Sequence, residues 1–96
     1  KLRVSVTGMT AEDEVRLRKE FEKEFTFEFV LSNDLALTMR AGEHADHIVL
    51  ITGRPNVETA NARFKEMGKV SMLVSGGYKE VADRLTHLYL ESVEAA

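Results

Sequence analysis

Three short segments, "TGMT" (Thr7 to Thr10), "TGRPN" (Thr52 to Asn56) and "SGGYK" (Ser75 to Lys79), place glycine directly after an apolar run and ahead of a helical pattern. Glycine lets backbone N–H groups turn outward, and a helix start carries unpaired N–H groups at its positive end, so such a turn can hold an anion. Gly8, Gly53, Gly76 and Gly77 supply the backbone. Thr10, Thr52 and Ser75 add hydroxyls, Asn56 an amide, and Arg54 and Lys79 positive charge. The chemistry within reach is binding of a small anionic ligand, a phosphate or a nucleotide. Catalysis is not expected, because no nucleophile–base pair or paired carboxylates can be placed among these residues. None of the segments is a Walker or dinucleotide loop: "GGYK" lacks the G-x-x-x-x-G-K-[ST] spacing and "TGMTAEDE" is not G-x-G-x-x-G. Strand-to-helix turns also need Gly and cap residues for purely structural reasons, which is the plain alternative for each.

Other constellations point to structure. Glu43, His44, Asp46 and His47 have metal-ligand chemistry, but a segment running into a strand sends neighbouring side chains to opposite faces, so no metal is expected. The chain has no Cys, which removes disulfides, thiolate zinc sites and a cysteine nucleophile together and fits a reducing, cytoplasmic setting. Glu12, Asp13 and Glu14 suit the first turn of a helix. "KEFEKEF" gives a charge-paired solvated face, with Phe21 and Phe25 directed to the core. His87 reads as an ordinary helical residue rather than a general base. Thirteen Lys and Arg against sixteen Asp and Glu leave a net charge of -3, without the basic excess of an autonomous nucleic-acid binder. Arg54, Arg63, Lys65, Lys79 and Tyr78 are the few residues that could serve one. The longest apolar run, Ile48 to Ile51, falls far short of the roughly 20 residues of a membrane span, so no membrane partner is expected.

The residues that could bind must be positioned by strands and helices. "LRVSVTG" (Leu2 to Gly8) alternates Leu2, Val4 and Val6 with polar residues, a strand with one buried face. Thr10 and Asp13 form a variant capping box ahead of a helix over Ala11 to Glu24. "FTFEFVL" (Phe25 to Leu31) puts Phe25, Phe27, Phe29 and Leu31 on one face and Thr26 and Glu28 on the other, as an edge strand does. Ser32, Asn33 and Asp34 offer N-caps for a short helix, "LALTMRA", with Gly42 as its stop. "HIVLIT" (His47 to Thr52) is a central strand covered on both faces. In "NVETANARFKEMG", Val57, Ala60, Phe64 and Met67 form one helical stripe, started by Asn56 or Thr59 and closed by Gly68. Lys69 to Val74 forms a last strand, and Val81, Leu85, Leu88 and Tyr89 stripe a last helix.

Strand and helix alternating four times predicts an α/β fold: a small three-layer Rossmann-like or flavodoxin-like domain with a four-stranded parallel sheet in the order 2-1-3-4. Ninety-six residues make one such domain, and a strand beginning within two residues of Lys1 suggests one cut from a longer protein. The fourth strand is apolar with only Lys69 as a gatekeeper. Its edge, or the last helix, is the expected surface for homo-oligomerisation or docking to the rest of a parent protein.

The stretch "ADHIVLITGRPNVETANARFKEMGKVSMLVSGGYKEVADRL" (Ala45 to Leu85) resembles a small bacterial Rossmann-like family catalogued as a domain of unknown function. The likeness lies in an aspartate-led strand, a loop with Asn, a helix, "GK", and "SGG" before a last helix. That family usually carries Ser-His or a similar polar pair after the strand, where this chain has Pro55 and Asn56. The resemblance implies the fold rather than an activity. Receiver domains have the same shape but need an acidic pair after the first strand and a phosphorylatable Asp ending the third, where Gly8-Met9 and Thr52-Gly53 stand here. Phosphotransferase B-type domains resemble the layout too, but many use a Cys after the first strand.

Overall fold

Eight elements alternate along the chain in the computed structural model, which describes residues 1–31 and 34–95. They are β1 (Leu2–Thr7), α1 (Ala11–Phe21), β2 (Phe25–Val30), α2 (Leu35–Glu43), β3 (His47–Ile51), α3 (Val57–Glu66), β4 (Val70–Val74) and α4 (Tyr78–Ala95). The strands make one sheet in the order β2-β1-β3-β4, and every neighbouring pair is parallel. This is the expected small three-layer Rossmann- or flavodoxin-like arrangement. Its register places Val6 beside Phe29 on one side and Val49 on the other, so β1 and β3 form the centre.

Period-two alternation divides the sheet into two faces with different chemistry. On one, Val4, Val6, Phe25, Val49, Ile51 and Val74 bury against Leu17 and Phe21 of α1 and Val81 and Leu85 of α4. On the other, Ile48 and Leu50 bury against Val57, Ala60 and Phe64 of α3. The half of this second face under α2 is polar: Ser5 and Thr7 of β1 and Thr38 of α2 are all buried. The Thr38 hydroxyl donates to Asp34 O at 3.0 Å, whereas Ser5 Oγ and Thr7 Oγ1 have no partner among the described residues.

Several boundaries differ from the sequence pattern for identifiable reasons. α1 stops at Phe21 instead of Glu24, because Phe21 and Phe25 must both reach the same core and the Glu24 N–H closes a tight turn on Phe21 O at 3.1 Å. Of the three caps expected for α2, Ser32 and Asn33 lie outside the described residues. Asp34 caps it, Oδ1 accepting from the Ala36 and Leu37 N–H groups at 2.8 and 3.2 Å. Gly42 does not stop α2, which continues to Glu43. Its role is packing: a Cβ there would overlap the Phe64 ring and come to 3.1 Å from Ile48 Cδ1, so only glycine lets α2 approach α3 this closely. Asn56 precedes α3 in the left-handed region, at φ 69°, with no side-chain cap bond, and Met67 is 51% exposed past the end of the buried stripe.

Gly42→Ala should therefore lower unfolding stability by about 1–3 kcal/mol through overpacking, read from urea denaturation. Asp34→Ala, which removes a helix cap, should cost about 1 kcal/mol.

Candidate functional site

Between β1 and β3 the strand order reverses, and in open parallel sheets ligands bind beyond the strand C-termini at that point. Gly8 leaves β1 at φ 99°, its N–H donating to Val30 O at 3.1 Å. A Cβ on Gly8 would lie 3.0 Å from Ile51 Cβ and 3.2 Å from Arg54 Cγ, so its bareness lets the Arg54 stem cross the end of β1. Gly76 turns the chain out of β4 at φ 99°, close against the Glu80 side chain. Thr10 caps α1, accepting the Asp13 N–H at 3.3 Å. The Arg16 guanidinium lies 4.0 Å from the centre of the Tyr78 ring, fastening α1 to the first residue of α4.

These turns enclose a cleft of about 110 Å³ lined by Gly8, Met9, Thr10, Asp13, Ile51, Arg54, Gly76 and Gly77. The cleft thus gathers Gly8, Thr10, Arg54, Gly76 and Gly77 out of the expected binding residues. Gly53 and Asn56 lie elsewhere, lining with Arg54 an open hollow of about 320 Å³ at the start of α3. Thr52 is exposed and its N–H extends the β3–β4 ladder, donating to Val74 O at 3.0 Å. Ser75 and Lys79 are exposed and line neither depression.

Sequence reasoning missed Met9, Ile51 and Asp13. Met9 follows the first glycine and is buried, closing the cleft with Ile51. Asp13 reads from sequence as a dipole-matching acid, yet the same position, three residues past the cap, carries its carboxylate into the cleft wall. It also pairs loosely with Arg16 at 3.8 Å. The cleft therefore combines a guanidinium and glycine turns before two helix starts with one carboxylate. An anion in it is drawn toward Arg54, Gly76 and Gly77 and away from Asp13. Its volume is well below the roughly 300 Å³ at which sites for whole small molecules begin, so it suits a single tetrahedral group.

At the opposite rim, Asp46 Oδ2 accepts the Arg3 N–H at 2.8 Å while the Asp46 N–H donates to Arg3 O at 2.8 Å. This reciprocal pair gives Asp46 a structural role at the foot of the sheet. Among the described residues no three His, Asp or Glu side chains gather as a metal site, and no helix is long and apolar enough to cross a membrane.

The two glycines separate strain from crowding. Gly8→Ala should cost about 1–3 kcal/mol in urea denaturation, since it meets both an unfavourable φ and the Ile51 and Arg54 side chains. Gly53→Ala, at φ 85° with nothing within 4 Å of the new methyl, should cost less, about 1 kcal/mol. Neither a family model, nor a curated protein, nor a solved structure matches the chain.

Proposed function

We propose that the domain is a non-enzymatic binding module that holds a phosphate or similar oxyanion in the switch-point cleft. The observation that carries this reading is the convergence of Gly8, Gly76 and Gly77 with Arg54 where the strand order reverses. Arg54 borders both the cleft and the hollow beside Gly53 and Asn56, so a ligand larger than phosphate, such as a nucleotide, extends from the cleft past Arg54.

A ligand that binds only the folded state raises the melting temperature with concentration. Thermal melts with inorganic phosphate, then with a nucleoside mono- and diphosphate, should show such a rise. Arg54→Ala should weaken binding about tenfold to a hundredfold, as loss of a charge-assisted hydrogen bond does. Lys79→Ala should leave it within about twofold, its exposed charge being screened. Asp13→Asn should strengthen it by removing the opposing carboxylate. Absence of any dose-dependent rise with all three ligands would overturn the reading.

A further inference from the structure

β2 pairs only with β1, so its outer edge carries unpaired backbone groups. Which residues carry them follows from one bond. Val30 O accepts the Gly8 N–H and so points toward β1. In a parallel pair the N–H and C=O of one residue point the same way and alternate along the strand, so Glu28 and Thr26 also bond inward. Phe25, Phe27 and Phe29 bond outward. Along this edge two depressions of about 330 and 340 Å³ run between β2 and α2, joined at Glu28 and Ala41. Arg3 and His44 border the first and Arg40 the second. The ion pairs among the described residues lie within α1, so neither arginine has a carboxylate partner there.

We propose that a second copy of this chain adds to this edge, β2 antiparallel to β2, with the two-fold axis through Phe27. In that register Phe27 faces Phe27, and Phe25 faces Phe29 of the second copy. All of these residues bond outward, so each pair exchanges both of its hydrogen bonds, as alternate pairs of an antiparallel ladder do. The aromatic rings share one face, where cross-strand aromatic pairs stabilise sheets. On the other face Glu28 of the second copy stands opposite Thr26, over the depression that Arg3 and His44 border. Each groove holds Arg3 and Arg40 against its own Glu28, and Glu28 of the second copy supplies the second acid.

Neighbouring registers fit less well. An axis through Glu28 puts Glu28 against Glu28, like charges directly opposed, and one through Thr26 leaves Phe29 past the start of the partner strand, with one aromatic pair fewer. An axis through Phe29 forfeits two of the three aromatic pairs. The β4 edge, which the sequence pattern marks as adhesive, is the poorer candidate. Val70 to Val74 carries neither an aromatic nor a charged side chain that would fix a register there.

Sedimentation velocity of the chain from micromolar to millimolar concentration should show a reversible monomer–dimer equilibrium. Thr26→Glu changes an exposed residue and sets two pairs of like charges opposite each other, so the dimer Kd should rise about tenfold with the monomer still folded by circular dichroism. Adding Glu28→Lys to that variant turns both repulsive pairs into attractive ones and should restore the dimer. A chain that stays monomeric throughout, as one that accepts another protein's strand would, overturns the proposal. A dimer indifferent to Thr26→Glu also does, as does one not restored by the double substitution.

Discussion

Parallel pairing of β1 with both β2 and β3 is the constraint on which everything else in this domain rests. Each parallel neighbour requires a crossover, and right-handed crossovers leaving β1 and its successors in opposite directions send helices to opposite faces. Hence α1 covers one side and α2 and α3 the other, and α4, which follows the last strand, packs beside α1. The same reversal opens the gap at the strand ends in which Gly8, Arg54 and the Gly76-Gly77 turn meet. Site and core are thus two results of one topological choice.

The fold was legible because its strands differ in kind. Ile48 to Ile51 is apolar without interruption and lies buried at the centre, while the alternation of Phe25 to Val30 with Thr26 and Glu28 marks the edge. What could not be read was proximity between segments distant in sequence. Gly42 looks like any helix stop until Phe64 is seen against it. Ser75 and Lys79 look like the equals of Arg54, and all three are exposed, but only Arg54 borders the cleft, which depends on the neighbouring turns and not on the local pattern. The Arg54 side chain is directed by the missing Cβ of a residue far earlier in the chain, which no local signal encodes. Asp13 was visible, but its effect on a ligand depends on the distance to groups from other turns.

The cleft and the β2 edge occupy different parts of the sheet and draw on different physics. The cleft offers fixed backbone donors with one cation, suited to a small group whose charge does the selecting. The edge offers a ladder of backbone bonds, in which register is set by aromatic and charged side chains alternating between faces. Arg16 over Tyr78 and Arg18 over Phe29, the latter 4.8 Å from the ring centre, link α1 to both regions.

The strip of buried hydroxyls beneath α2 has a consequence for motion. Where α3 rests Val57, Ala60 and Phe64 on Ile48 and Leu50, lifting it exposes a continuous apolar surface, but part of the surface under α2 is Ser5 and Thr7, whose unmet hydroxyls gain hydrogen bonds from water on opening. That gain offsets part of the cost of lifting Leu35 and Met39 of α2 off the same apolar cluster, so opening of α2 should cost less than opening of α3. The helix so placed is the one on the flank of the open strand edge.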